Sequence, residues 1–158
     1  MNVYHTDGSA VPNPGKGGFA VILNGQPVVL GSEEQSTNIR MEAHALIAAI
    51  KHATTTGKPY EIHTDSEFWI NVVTKWAPGW ETKGWHKKIR KNYDGTLMSG
   101  EAEREPGDDI ANFDLVRELY DLYCTHQPHL KWIRGHIGTQ GNELADQWAN
   151  RARAGEKL

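Results

Sequence analysis

The chain has 158 residues, about the size of one domain, and 38% of them are hydrophobic, as in an ordinary globular protein. No stretch approaches the run of about 18 apolar residues that a membrane span needs, and residues 1–5 lack the basic and apolar regions of a signal peptide. The one cysteine, Cys124, cannot form an internal disulfide, and an unpaired thiol fits a reducing compartment. We therefore expect a cytoplasmic protein without a membrane segment.

The net charge of −3 gives no hint of a nucleic-acid partner, but the distribution of charge does. Basic residues cluster within nine positions, at Lys83, Lys87, Lys88, Arg90 and Lys91. Acidic residues follow soon after, at Glu101, Glu103, Glu105, Asp108 and Asp109. Because local fields steer charged ligands, a basic patch can bind nucleic acid even on a chain that is acidic overall.

The first part of the chain predicts strands. Residues 3–6 predict a strand that ends where Asp7 begins a loop. Residues 19–23 and 28–30 predict a hairpin, with Asn24-Gly25 as its turn.

The middle of the chain predicts alternating helices and strands. Apolar residues between 43 and 50 have helical spacing, and the helix should end near residues 57–59, which contain glycine and proline. Residues 60–64 predict a short strand, and residues 67–76 predict a helix. From Ala77 to Asn112 the pattern breaks, beginning with Pro78-Gly79.

The last third predicts a helix over residues 113–125, a strand over 129–134 and a helix over 142–154. Three strands followed by alternating helices and strands indicate an α/β domain with a mixed five-stranded sheet flanked by helices. We expect residues 1–158 to form this one domain, with residues 95–111 as an acidic loop insertion.

Four carboxylates are candidates for a shared site. Asp7 and Asp65 each follow a predicted strand, and if those strands are parallel neighbours both side chains emerge at the same edge of the sheet. Glu42 lies four residues before Leu46, on the helix face that packs on the sheet. Asp146 lies in the first turns of the last helix. Each acid alone has a simpler explanation, as a turn residue, a solvated helix residue or a partner of a helix dipole.

Four like charges on an apolar scaffold repel one another and need a counter-charge. Magnesium supplies one, because it prefers a few carboxylates together with substrate phosphate. Two such ions about 4 Å apart can activate a water and stabilise the leaving oxygen in phosphodiester hydrolysis.

Four short motifs are distributed along nearly the whole chain, apart from residues 95–111. They are Thr6-Asp7-Gly8-Ser9 with Asn13-Pro14-Gly15, Thr37-Asn38-x-Arg40-Met41-Glu42, Thr64-Asp65-Ser66, and Gly135-His136-x-Gly138-x-x-Gly141-Asn142-Glu143-x-Ala145-Asp146. In this order they resemble the motifs of type 1 ribonuclease H, in its bacterial form with a basic protrusion. The resemblance implies a ribonuclease H-like fold. It also implies an endonuclease that hydrolyses the RNA strand of RNA·DNA hybrids and leaves 5′-phosphate and 3′-hydroxyl ends.

The resemblance also implies the catalytic groups. The family's metal-binding acids fall on Asp7, Glu42, Asp65 and Asp146, which would hold two Mg²⁺ ions with substrate, and Mn²⁺ is an alternative metal. His136 matches a catalytic histidine in a mobile loop, associated with proton transfer or product release, a task that suits an imidazole. Its alternative is a loop residue held by backbone contacts.

Substrate contacts are implied in two regions. The resemblance places Asn13 and Asn38 in the groove of the hybrid, where the 2′-hydroxyl marks the RNA strand, and Thr37 near a phosphate of the DNA strand. Alternatively, Asn13 is a turn former and Asn38 a helix cap.

The second region, residues 76–92, resembles a basic protrusion that grips the duplex away from the cut. Its candidate contacts are Trp76, Trp80, Lys83, Lys87 and Lys88. Lysines there would neutralise phosphates and make binding salt-dependent. The alternatives are packing for the tryptophans and a solvated loop for the lysines.

The chain departs from the family pattern at four places. Ile39, Glu67 and Gly79 stand where polar amide residues are common, which suggests a looser grip on the duplex. The acidic stretch 101–109 is foreign to the pattern, and we expect a surface loop that regulates access or contacts another protein.

Three other functions remain open. A transposase, integrase or Holliday-junction nuclease shares the fold but acts on DNA. A non-catalytic hybrid-binding module would keep the fold and lose the chemistry. The ribonuclease part of a reverse transcriptase is the third, although the short lead before Asp7 suits a free-standing enzyme, which we expect to be a monomer.

Overall fold

The computed structural model describes residues 1–135 and 140–158 and contains a five-stranded sheet. Its strands are β1 (Asn2–Val11), β2 (Gly15–Leu23), β3 (Gln26–Ser36), β4 (Tyr60–Thr64) and β5 (His129–Trp132). They lie in the order β3-β2-β1-β4-β5. The β1, β2 and β3 strands are antiparallel neighbours, whereas β4 is parallel to both β1 and β5. The predicted mixed five-stranded sheet is confirmed.

Helices cover both faces of this sheet. They are α1 (Asn38–Thr56), α2 (Glu67–Asn71), α3 (Ala77–Thr82), α4 (Phe113–His126) and α5 (Gln140–Arg153). A π-helical turn, Val72–Trp76, joins α2 to α3, so the helix predicted over residues 67–76 is present with an irregular second half. Among residues 1–135 and 140–158, no helix is long and apolar enough to cross a membrane.

Alternation along β2 assigns the helices to opposite faces. Val21 belongs to the large core that α1 and α4 cover, whereas Ala20 and Ile22 pack with Ala145 and Ala149 of α5. Successive side chains of a strand point to opposite faces, so α5 lies across the sheet from α1. An acid on each of these helices therefore approaches the sheet from a different side.

Helix α1 has defined ends. The Thr37 hydroxyl accepts a hydrogen bond from the Arg40 amide at 3.2 Å, so Thr37 rather than Asn38 is the N-cap. At the other end Gly57 has a φ of 66°, the left-handed conformation that glycine adopts readily. The end predicted near residues 57–59 is confirmed.

Several predicted boundaries are wrong. The strands of the predicted hairpin are longer than expected, since β2 begins at Gly15 rather than at residue 19 and β3 extends to Ser36 rather than to residue 30. Strand β1 does not end before Asp7, because its antiparallel pairing with β2 continues to Val11. Strand β5 ends at Trp132 because its parallel partner ends at Thr64. Pro78 does not stop the helix but lies in the first turn of α3, where no backbone N–H is needed.

The acidic insertion, residues 95–111, is not a free surface loop. Leu97 forms an antiparallel bridge with Lys91, and Ile110 is buried in the main core. The Glu101 side chain is only 2% exposed. The insertion is therefore folded back onto the chain that precedes it.

Two glycines let the acid-bearing helices approach the sheet closely. A Cβ at Gly8 would collide with the backbone of Met41 and Glu42 in α1. A Cβ at Gly18 would collide with the backbone of α5 at Arg153. Only glycine permits both approaches, and the first fixes Glu42 beside β1.

We predict that Gly8→Ala lowers the free energy of unfolding by about 1–3 kcal/mol, since the backbone of α1 must move to admit a methyl group. The matched control is Gly79→Ala in α3, where an added Cβ meets nothing within 4 Å. That change should instead raise the free energy of unfolding by up to about 1 kcal/mol. Urea denaturation followed by circular dichroism measures both, and equal effects at the two positions would contradict the close approach.

Candidate active site

Three carboxylates meet where β4 ends. The parallel pairing of β1 with β4 stops at Thr6 and Thr64, so the next residues, Asp7 and Asp65, lie side by side. Glu42 joins them from α1. One carboxylate oxygen from each of the three acids lies within 4.8 Å of the others. This spacing is within reach of one cation.

Asp146 reaches the group through Asp7. Its charge and a side-chain hydrogen bond both raise the pKa of Asp7, so the Asp146 carboxyl lies near that of Asp7. Ala145 and Ala149 are fully buried beside it, which seats α5 on the sheet. The structure therefore brings all four predicted acids together, from two strands and from helices on both faces.

Burial and repulsion oppose ionisation of Asp7 and Glu42. Asp7 is 9% exposed, and burial, followed by the charges of Asp65 and Asp146, raises the pKa of Asp7 to about 8. A hydrogen bond from the Gly8 amide to Asp7 Oδ1 at 2.9 Å only partly offsets this shift. Burial and the charge of Asp65 likewise raise the pKa of Glu42 to about 7. A bound cation would remove the main repulsion.

The donor set fits a hard divalent cation. All four side chains offer carboxylate oxygens, the ligands that Mg²⁺, Ca²⁺ and Mn²⁺ prefer over the nitrogen and sulfur ligands of zinc sites. Gly135 lies beside Asp65, and a Cβ there would stand 2.9 Å from Asp65 Oδ2. The glycine thus keeps space open next to this carboxylate.

Ser66 is a site residue for which the sequence predicted no role. Its side chain hydrogen-bonds to Glu42, which lowers the pKa of that carboxyl against the larger effect of burial. It also caps α2 by accepting from the Trp69 amide at 3.4 Å. A serine directly before a helix is a recognisable cap, but its contact with Glu42 depends on the fold. His136 lies outside the described residues.

The polar residues at the start of α1 form a connected group. Asn13 Oδ1 accepts from the Asn38 amide at 3.0 Å, and Asn38 Oδ1 accepts from the Ala10 amide at 2.7 Å. Thr37, directly before Asn38, is the N-cap of α1. The side-chain oxygens of both asparagines already accept these hydrogen bonds. Their side-chain Nδ2–H groups are therefore the donors that they can offer to a ligand.

The tryptophans divide into two groups. Trp85 is 8% exposed and packs edge-on against Tyr120, so it anchors its segment of the chain to α4. Trp76 is 40% exposed, and its ring centroid lies 6.3 Å from that of Trp80. Both line a recess of about 340 Å³ whose rim includes Lys87.

Of the predicted basic contacts, Lys87 lines this recess. The side chains of Lys83, Lys87 and Lys88 are exposed. Lys87 Nζ lies 5.6 Å above the centre of the Trp80 ring, which joins the lysines to the tryptophan pair. Residues 76–92, the predicted protrusion, thus combine exposed lysines with one exposed tryptophan, Trp76, and one half-buried tryptophan, Trp80.

Comparison with known proteins places this arrangement in a family. The RNase H family model matches residues 1–154. A ribonuclease H of Granulibacter bethesdensis is 37% identical over 151 residues, covering 94% of this chain and 89% of that protein. The crystal structure of LC9-RNase H1, a type 1 RNase H with the type 2 active-site motif, is 26% identical. It superposes with a TM-score of 0.72 over 99% of this chain and 73% of that one.

A further similar structure is LC11-RNase H1 in complex with an RNA/DNA hybrid. It is 21% identical, with a TM-score of 0.59 over 98% of this chain and 97% of that one, and so supports the fold alone. The chain belongs to the ribonuclease H family, whose members are endoribonucleases that degrade the RNA of RNA·DNA hybrids. The resemblance to type 1 ribonuclease H is confirmed.

The raised pKa of Asp7 predicts how the stability of the metal-free protein depends on pH. The unfolded chain loses this proton near pH 4, whereas the folded chain holds it to about pH 8. The folded state binds more protons in this interval, so stability falls as pH rises through it. Asp7→Asn removes the titrating group, and the variant should show a shallower fall and exceed the wild type in stability at about pH 8.

Thermal unfolding in EDTA from about pH 4 to pH 8 measures this dependence. The control is Asp94→Asn, because hydrogen bonds from Thr96 lower the pKa of Asp94 and its contribution has the opposite sign. That variant should keep the fall. A wild-type stability that rises over the interval, or an unchanged slope in Asp7→Asn, would contradict the electrostatics described for the site.

Proposed function

We propose that this chain hydrolyses RNA within RNA·DNA hybrids by using Asp7, Glu42, Asp65 and Asp146 to hold two Mg²⁺ ions when substrate is bound. The observation that carries the proposal is the meeting of three carboxylate oxygens within 4.8 Å, with the fourth acid near Asp7. Mg²⁺ fits this set because it prefers a few carboxylates plus substrate phosphate, and Mn²⁺ accepts the same ligands.

When bound, the two ions supply the positive charge that activates a water for in-line attack and stabilises the departing oxygen. The water oxygen forms a bond to phosphorus as the bond from phosphorus to the 3′ oxygen breaks, and a proton passes to that oxygen. The products carry 5′-phosphate and 3′-hydroxyl ends. The chain's own contribution is position: Gly8 sets Glu42 beside Asp7, and Ser66 orients the Glu42 carboxyl.

His136 completes the proposed catalytic set. In the sequence it directly follows Gly135, which lies beside Asp65, and it matches the histidine of the fourth family motif. An imidazole, whose unperturbed pKa lies near neutrality, can carry a proton to or from the leaving group or assist product release.

Hybrid recognition is proposed for the start of α1. The amide N–H groups of Asn13 and Asn38 are suited to acceptors in the shallow groove of an A-like duplex, where the 2′-hydroxyl distinguishes RNA from DNA. Thr37 lies beside them as the helix cap, a position that favours a phosphate. Ile39 is 38% exposed in the same region and cannot hydrogen-bond a base, so one contact is missing.

The second proposed contact is the protrusion. Trp76 and Trp80 offer an aromatic surface to the DNA strand, and Lys83, Lys87 and Lys88 offer positive charge to phosphates. We expect a monomer, and the unpaired, exposed Cys124 fits a reducing, cytoplasmic setting.

The direct test uses end-labelled RNA annealed to DNA, annealed to RNA or left single, together with a DNA duplex, each incubated with Mg²⁺. We expect internal cuts confined to the RNA of the hybrid and abolished by EDTA. Asp65→Asn should lower the cleavage rate at least about 100-fold, because even outer partners of metal ligands cost 10- to 100-fold. Asp121→Asn on the exposed surface of α4 makes the same chemical change away from the site and should leave the rate unchanged.

Two other outcomes would replace the proposal. Binding of the hybrid without cutting would identify a non-catalytic module. Cutting of the DNA duplex would identify a DNA-acting nuclease of the same fold.

For the protrusion, we predict that replacing Lys87 and Lys88 together with Ala weakens hybrid binding and flattens its salt dependence. The log–log slope should fall by about 0.7–0.9 for each phosphate that the protein no longer neutralises. The control replaces Lys51 and Lys58, exposed residues near the far end of α1, and removes the same charge. A salt slope that the first pair leaves unchanged, measured by fluorescence anisotropy in the Asp65→Asn background, would remove the protrusion from substrate binding.

A further inference from the structure

The acidic insertion, residues 95–111, is attached along the basic segment, residues 83–91, through backbone hydrogen bonds. The Met98 amide donates to the Arg90 carbonyl at 3.1 Å, and the Gly107 amide donates to the Trp85 carbonyl at 2.7 Å. The basic segment itself contains no helix or strand. Its conformation is therefore set by what it contacts.

Two carboxylates of the insertion bind the backbone of the basic segment. The Asp109 carboxylate accepts from the Lys87 amide at 3.0 Å and from the Lys88 amide at 3.2 Å. Glu101 accepts from the Arg90 amide at 3.1 Å and from its Nε at 3.2 Å. Hydrogen bonds to an ionised carboxylate are about twice as strong as those between neutral groups.

Arg104 links the insertion to the same backbone and neutralises its acids. Its guanidinium contacts Glu101 and Asp108 at 2.8 and 2.7 Å, and Asp109 at 3.2 Å. It also donates to the Lys88 carbonyl at 2.8 Å. The acids nearest the lysines are thus engaged by an internal arginine and by backbone N–H groups.

The side chains of Lys87 and Lys88 are exposed to solvent, whereas their backbone amides are bound by the insertion. Lys87 and Lys88 are exposed, although their amides bind Asp109. Lys87 in turn stands over the ring of Trp80, beside the recess that the two tryptophans line. The insertion therefore determines where these positive charges stand relative to the aromatic surface.

We infer that the acidic insertion is a positioning element for substrate binding, in which Asp109 and Glu101 hold the basic segment in the form that grips the hybrid. The inference rests on the proposed role of the protrusion and deepens it. An irregular segment that is ordered before binding loses less conformational entropy on binding, so preorganisation increases affinity. Asp109 acts through the lysines and does not itself contact the duplex.

A purely electrostatic role for the insertion predicts the opposite effect. Acids close to a phosphate backbone repel it, so removing any one of them should tighten binding. For Asp109 the positioning role predicts that removal weakens binding. The sign of the change in affinity therefore separates the two roles.

The experiment compares three variants that each remove one negative charge. Asp109→Ala loses the acceptor, Asp109→Asn keeps a carbonyl acceptor for the two lysine amides, and Glu105→Ala changes an exposed acid of the same insertion. KM and kcat for hybrid cleavage are measured in Mg²⁺. We expect Asp109→Ala to raise KM about fivefold with little change in kcat, as the loss of hydrogen bonds that serve binding alone predicts.

Asp109→Asn should restore most of the affinity, and Glu105→Ala should leave KM unchanged or lower it. Equal KM values for the Ala and Asn variants of Asp109, or a lower KM in Asp109→Ala, would overturn the positioning role. The double replacement of Lys87 and Lys88 serves as the reference. If it leaves binding unchanged, the protrusion itself fails as a substrate contact, whereas if it weakens binding and Asp109→Ala does not, only the positioning role fails.

Hydrogen–deuterium exchange on the unmodified protein gives a second test that needs no variant. In the absence of hybrid the amides of Lys87, Lys88 and Arg90 should exchange slowly, because each donates to a carboxylate of the insertion. Slow exchange that appears only after hybrid is added would show that the segment is ordered by substrate, which would contradict preorganisation.

Discussion

The main physical constraint on this structure is the electrostatic repulsion among four neighbouring carboxyl groups. Burial of Asp7, with the charges of Asp65 and Asp146 against it, holds the pKa of Asp7 at about 8, and burial similarly raises the pKa of Glu42 to about 7. Carboxylates buried together without a counter-charge are costly, and a divalent cation held by oxygen ligands removes the cost. The acids therefore favour metal binding, and the sheet and helices that carry them prevent the carboxyl groups from moving apart.

The carboxyl groups cannot move apart because the strands and helices that carry them are paired or closely packed. Strand β1 pairs in parallel with β4 only as far as Thr64, so Asp7 continues in the sheet while Asp65 leaves it. Gly8 brings Glu42 within reach from one face, and α5 brings Asp146 from the other. Moving Glu42 or Asp146 away would require a helix to separate from the sheet, and Asp7 is held within the sheet by its pairing with β2.

Much of this arrangement could be predicted from the chain alone, because its signals are local. The limits of β4 and the end of α1 follow from alternation and from Gly57, and the four acids follow from motifs in order. What could not be predicted depends on partners distant in sequence. Strand β1 extends beyond Asp7 because β2 pairs with it, and Glu101 looks like a surface acid although it is buried against Arg90 and Arg104.

The central claim, that Asp7 and Glu42 hold protons until a cation binds, is tested most directly by counting protons released on metal binding. Calorimetric titration of the metal-free protein with Mg²⁺ at about pH 7, in two buffers of different ionisation enthalpy, gives that number. The raised pKa values of Asp7 and Glu42 predict net proton release at about pH 7 that diminishes at about pH 9. Binding with identical heats in both buffers at the lower pH would contradict the account.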